Sequence, residues 1–207
     1  MLAVAGDKGV SREKLLAMLW PDGNPEKSRH ALNQIFSAQR RYFADSQLFD
    51  GKKTVRLNNK LITSDVSAFE HALSDHDLDA AVDIHGGPFL DGFFVSDSSE
   101  FEKWATDQRE RFTSLLSNAL DDDARQAESA SDLDLAIKRR RQSVMLDRLD
   151  AMRAIKLADA LSRAGDAGGA LRSLQECQKR MKDELGFSDP VLSKRISALA
   201  LELDGRR

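Results

Sequence analysis

The sequence contains one cysteine, one tyrosine and four prolines in 207 residues. With Cys177 alone, no intramolecular disulfide can form, and the composition fits a reducing cytoplasm. Scarce proline beside abundant Ala, Leu, Glu, Lys and Arg leaves helix propensity high along the chain. No apolar run approaches the roughly 20 residues of a bilayer span. The opening "MLAVAGDKGV" has no basic region of a secretion signal. Catalytic patterns are missing too. His71, His76 and His85 are irregularly spaced and form no zinc-type pattern. "GDAGG" (165–169) has no following Gly-Lys-Ser/Thr, so it reads as an interhelical turn and not a phosphate cradle. There is no Gly-x-Ser-x-Gly elbow. These absences predict a protein that is not an enzyme and has no cofactor, metal or membrane partner. "DDD" (121–123) reads as a solvated helix end and "KRRR" (138–141) as a solvated helix face.

What is present begins with an uneven charge. The net charge is −3, yet residues 1–64 balance to +5 and residues 65–207 to −8. A basic small part joined to an acidic large one points the first at a polyanion. Within it, "SREKLLAMLW" (11–20) reads as a short helix capped by Ser11, with Leu15, Leu16, Leu19 and Trp20 as its apolar stripe. "PDGNP" is a turn, and a longer helix follows from Glu26 to about Phe43. Short helix, turn, longer helix is the outline of a helix-turn-helix.

On a helical wheel Ser28, Leu32, Ile35, Phe36, Gln39 and Phe43 fall on the side expected to be buried. Lys27, His30, Gln34, Ser37 and Arg41 fall opposite, with Arg29, Asn33 and Arg40 on one flank. No carboxylate follows Glu26 on this helix. Amides, imidazole and hydroxyl can hydrogen-bond base edges, and the arginines and lysine can meet phosphates. "QLFDGKKTVRLN" (47–58) then carries two short runs around Asp50-Gly51, a hairpin signal, with Lys52 and Lys53 at its tip and Arg56 on the second strand. Helix-turn-helix plus hairpin is a winged helix.

From Asp65 onward the chain reads as helical, with Ser64 or Asp65 as a cap and a Gly/Pro break at "HGGPFLDGFF" (85–94). A long helix is expected over 98–120, with Phe101, Trp104, Phe112, Leu115 and Leu116 as core candidates. "SDLDLAIKRRRQSVMLD" (131–147) and "GDAGGALRSLQECQKRM" (165–181) align Ala136 over Ala170, 34 residues apart. That is the tetratricopeptide period, with Ala158, Ala170 and Cys177 at its small-residue positions. Arg140 stands where an aromatic is usual, and Arg148 where proline is expected.

"LLAMLWPD", the Arg29, Leu32, Arg41 spacing, "SDVSAFE", "GPFLDGF", "FEKWATDQRERF" and "LSRAGDAGGALRSLQECQKRMKDELGFSDP" together resemble the bacterial transcriptional activator domain family. That family includes the actinobacterial antibiotic regulatory activators. The resemblance extends over nearly the whole chain. It implies a mainly α fold: a partial OmpR-type winged helix over residues 1–64, then an all-α tetratricopeptide-like domain over residues 65–207. It also implies a regulator that binds double-stranded promoter DNA, with RNA polymerase or a second copy as the helical domain's partner. By matching position, Arg29, Asn33, Ser37, Arg40 and Arg41 fall on the recognition helix, and Lys52, Lys53 and Arg56 on the wing. Such winged helices begin with a small sheet and a full first helix, whereas only "LAVAGDKG" precedes Ser11 here. Leu15, Leu19, Ile35 and Phe36 are therefore expected to be under-covered. The rival expectation is an interaction scaffold whose shortened winged helix no longer binds DNA.

Overall fold

The computed structural model describes residues 1–43, 47–95 and 97–204. They are mainly helical, with a small three-stranded antiparallel sheet. Two compact units divide the chain, Met1–Phe112 and Thr113–Arg207.

In the first unit a short helix, α1 (Leu2–Ala5), and a 3-10 turn (Gly6–Lys8) lead into β1 (Val10–Ser11). Then come α2 (Arg12–Leu19), α3 (Pro25–Tyr42), β2 (Phe49–Asp50) and β3 (Thr54–Leu57). The sheet order is β1-β3-β2, with Val10 opposite Val55 and Phe49 opposite Leu57. This is a winged helix. Ser11 caps α2 by accepting from the Lys14 amide at 3.1 Å, as the sequence indicates. Asn24 caps α3 by accepting from the Glu26 and Lys27 amides at 3.0 and 3.1 Å, and Pro25 takes the first helical position. A missing donor at that position costs nothing.

Val10, Leu15, Leu32, Phe36 and Val55 form the core, with Met1, Leu2 and Ala5 packed against it. Leu15 and Phe36 are thus covered and Leu19 half-buried, because β1 and α1 supply part of the cover expected to be missing. Ile35 is 44% exposed, and Gln39 and Phe43 are exposed. The seam of α3 is only one residue wide, running Ser28, Leu32, Phe36. Ile35, about 100° round the helix from Phe36, falls outside it. Leu115 is exposed for the same reason, since the buried row of its helix is Phe112, Leu116, Leu120.

The first unit continues with α4 (Asp65–Ser74), α5 (Leu78–His85) and the start of α6 (Ser99–Ser129). Ser64 closes a capping box on α4 with Ser67. The segment between α5 and α6 is pinned by Arg109, which donates to the carbonyls of Phe89 and Leu90 at 2.8 and 3.1 Å. The buried Ser98 donates to the Met18 carbonyl and accepts from the Phe101 amide, so it ties α2 to the head of α6.

In the second unit the remainder of α6 is followed by α7 (Leu133–Leu146), α8 (Ala151–Arg163), α9 (Ala167–Leu185) and α10 (Pro190–Asp204). Its core includes Ala158, Ala170, Leu174, Cys177 and Leu192. Burial raises the Cys177 thiol above its ordinary pKa, so it is a packing group at neutral pH. The 34-residue repeat is real in three dimensions. Asp132 and Asp166 cap α7 and α9, each preceded by a positive-φ residue, Ser131 and Gly165. Their amides donate back to Ala127 and Leu161, each at 2.9 Å, and four residues later Ala136 and Ala170 are fully buried. The same connection occurs in the first unit. Asp77 follows positive-φ His76, caps α5 and donates to Ala72 at 2.9 Å, and Ala81 is fully buried.

Two expectations need correction. Of "KRRR" only Lys138 and Arg141 face solvent, and "DDD" is not a helix end. Arg139 and Arg140 are 8% and 4% exposed. Arg139 meets Asp123 at 2.6 Å, while Arg140 pairs with Asp121 and meets Glu128 at 3.0 Å. Lys156 joins Asp121 at 2.9 Å. Burial pushes Asp121 up, but the Lys156 hydrogen bond and the charges of Arg140 and Lys156 outweigh it and hold the carboxyl below its usual value near 3.8. This pairing lets α6 run on to Ser129 through three consecutive aspartates.

Candidate nucleic-acid interface

Helix α3 is built as a platform. Its inner edge is fixed by Leu32 and by Phe36, whose ring meets Phe49 of β2 edge-on at 5.0 Å. Lys27, Arg29, His30, Asn33, Gln34, Ser37, Arg40 and Arg41 are all exposed. Glu26, in the first turn, is the last acidic residue on the helix. Placing Arg40 and Arg41 in the last turn suits the negative end of the helix dipole. His30 and Gln34, one turn apart, are joined at 2.9 Å through the amide nitrogen and the ring Nε2.

The hairpin β2–β3 lies against the same platform. Lys52, Lys53 and Arg56 are exposed. Arg56 is partly engaged inside the protein, donating to the Asp7 carbonyl at 3.4 Å and lying across the ladder from Asp50. The turn requires glycine at 51, where φ is +89° and a β-carbon would overlap the Thr54 carbonyl oxygen.

Arg12 is the residue that sequence reasoning missed. Its backbone amide donates to the Lys53 carbonyl at 2.9 Å and its Nε to the Lys52 carbonyl at 2.8 Å. Its Nη1 donates to Asn33 Oδ1 at 2.8 Å, and the guanidinium lies 5.2 Å from the Phe36 ring centroid. One side chain thus joins α2, the wing turn and the exposed face of α3. As the residue after a cap, Arg12 carries no periodic signal; its partners are 21 and 40 residues away.

Among the described residues no group of three or more His, Cys, Asp or Glu side chains could hold a metal. No helix among them is long and apolar enough to cross a membrane.

The model of the bacterial transcriptional activator domain matches residues 49–201. The solved structure of Mycobacterium tuberculosis EmbR in complex with a low-affinity phosphopeptide resembles the chain with a TM-score of 0.55 at 18% identity. That likeness extends over 98% of this chain and 57% of EmbR, so this chain spans a little over half of that protein's length. At such identity the likeness is one of fold. Comparison with curated proteins finds no match.

Proposed function

Because the chain belongs to the bacterial transcriptional activator domain family, we propose that it is a cytoplasmic transcriptional regulator that reads double-stranded DNA. In this reading α3 enters the major groove and the β2–β3 hairpin lies on the neighbouring backbone. Residues 1–64 form the reader. Residues 65–207 form a helical docking surface for a second copy or for RNA polymerase. The observation that carries the proposal is the exposed face of α3, which from Lys27 to Arg41 holds cations and neutral hydrogen-bonding groups and no carboxylate. A carboxylate there would repel phosphate, whereas this face divides naturally into phosphate contacts (Arg29, Arg40) and base-edge contacts (Asn33, Gln34, Ser37, Arg41).

The test is fluorescence anisotropy on DNA fragments selected by the full chain from genomic DNA. Arg41→Ala should weaken specific binding by about 1–3 kcal/mol and leave random DNA nearly unaffected. Equal affinity of variant and wild type for the selected fragments removes Arg41 from the reading face. The alternative, an interaction scaffold that does not bind DNA, draws on three apolar side chains at the α9–α10 turn. Leu185, Phe187 and Val191 are 49%, 52% and 56% exposed, a surface suited to protein contact. Folded protein that ignores all DNA at low salt would favour that alternative.

A further inference from the structure

We propose that Arg12 is a positioning residue that fixes the hydrogen-bonding polarity of Asn33, so that Asn33 presents donors and selects guanine over adenine. The inference rests on α3 being the recognition helix and specifies what one of its positions reads. An asparagine free to turn pairs with adenine through both ends of its amide: Oδ1 accepts from the adenine amino group while Nδ2 donates to N7. Here Oδ1 is already engaged by Arg12 Nη1 at 2.8 Å. A second donor approaching that oxygen, as the adenine amino group must, also approaches a guanidinium cation. The amide nitrogen, by contrast, has no partner among the described residues and keeps both its hydrogens.

The major-groove edge of guanine carries two acceptors, N7 and O6, and no donor. It matches a residue that can only donate. Thymine offers a single acceptor beside a methyl group, and cytosine offers a donor.

Arg12 can impose this polarity because it is itself held. Its Nε and backbone amide grip the carbonyls of Lys52 and Lys53 at 2.8 and 2.9 Å, and its guanidinium lies 5.2 Å from the centre of the Phe36 ring. The wing turn therefore sets the place of Arg12, and Arg12 sets the amide of Asn33. Base choice in the groove is coupled to the seating of the wing, without Arg12 itself touching DNA.

The experiment is selection from a random double-stranded pool at moderate salt, using the full chain as wild type, Asn33→Ala, Arg12→Lys and Arg12→Ala. The Asn33 position is the one whose preference disappears in Asn33→Ala. Wild type is expected to enrich a G·C pair there. Arg12→Lys keeps a cation near Phe36 but cannot bond Lys52 and Asn33 together as the guanidinium does. Both Arg12 variants should move that one position toward A·T, a roughly ten-fold swing in the G·C to A·T ratio, with the other positions unchanged. A purely structural role would lower affinity at every position and leave base identity alone. An A·T pair selected by wild type, or Arg12 variants that retain the wild-type pair, overturns the role of Arg12 while leaving DNA reading intact. If folded wild type enriches no sequence, DNA reading fails and this inference fails with it.

Discussion

Replacing Arg140 with alanine tests how the helical repeats are held together. Arg140 lies 34 residues before Leu174, at the same register of the repeat. The second repeat buries a leucine there completely, and the first buries a guanidinium that is 4% exposed. Truncation leaves Asp121 and Glu128, with side chains 26% and 18% exposed, without their common partner. Removing one member of a buried ion pair costs about 3–5 kcal/mol. Asp121 keeps Lys156 at 2.9 Å and Glu128 keeps Arg163 at 3.6 Å, so the lower end applies, about 3 kcal/mol. For a chain of 207 residues each kcal/mol moves Tm by roughly 2–4 °C, so the melting temperature should fall by roughly 6–12 °C.

The pH dependence follows from the sign of the Asp121 shift. Its carboxyl titrates below its usual value in the folded state. Its contribution is therefore full above the unfolded value near 3.8 and is lost as pH falls through the lower folded value. The gap between wild type and Arg140→Ala should thus narrow from pH 7 to pH 3. Urea unfolding at both pH values measures it. A loss below about 0.5 kcal/mol at pH 7, the range of ordinary surface substitutions, or a gap that does not narrow, would mean that Arg140 does not hold the repeats together through Asp121 and Glu128. Replacing Asp121, Glu128 and Arg140 together by leucine should recover most of the loss, since an apolar cluster of similar volume is commonly as stable as a buried ion network.

Two further outcomes are expected. Asn24→Ala removes the acceptor of the Glu26 and Lys27 amides and should cost about 1 kcal/mol in urea unfolding; no change would mean the amides at the head of α3 find an equal partner in water. Burial holds His85, beside the Phe69 ring at 6.0 Å, below its ordinary value of 6.5. Because the unfolded chain then binds that proton more readily, stability should decline as pH drops below 6.5 and level off at the lower folded value. His85→Leu should flatten this part of the urea-midpoint profile, and an unchanged slope would contradict it.

The helix-turn-helix was legible because its signals are local. "LWPD" ends α2, "PDGNP" holds both the turn and the Asn24 cap, and the buried and exposed faces of α3 separate on a wheel. Strand β1 was not legible. Two residues carry no alternation, and they are a strand only because Val55, 45 positions away, pairs with Val10. The buried arginines were hidden for a similar reason. Arg139 and Arg140 look solvated until α6 brings Asp121, Asp123 and Glu128 to them from 12–19 residues back. The repeat was visible at α7 and α9, whose capping aspartates are 34 residues apart, but not at α5. Asp77 lies 55 residues before Asp132, because the "GPFLDG" segment and the length of α6 intervene. At the candidate site the outward residues of α3 were legible from spacing alone, whereas Arg12, which joins Asn33 to the wing turn, depends on contacts that no periodicity encodes.

The most direct measurement is a salt titration of binding to double-stranded DNA by the folded full chain, beside the Lys52→Ala/Lys53→Ala variant. Each phosphate contact contributes a slope of about −0.9 to log K against log salt. With the exposed cations of α3 and the wing engaged, the wild-type slope should be about −4 or steeper. Loss of both wing lysines should flatten it by roughly 2 and weaken selected and random DNA alike. No binding at low salt, or a slope that the two lysines do not alter, would contradict a DNA reader built from α3 and its wing.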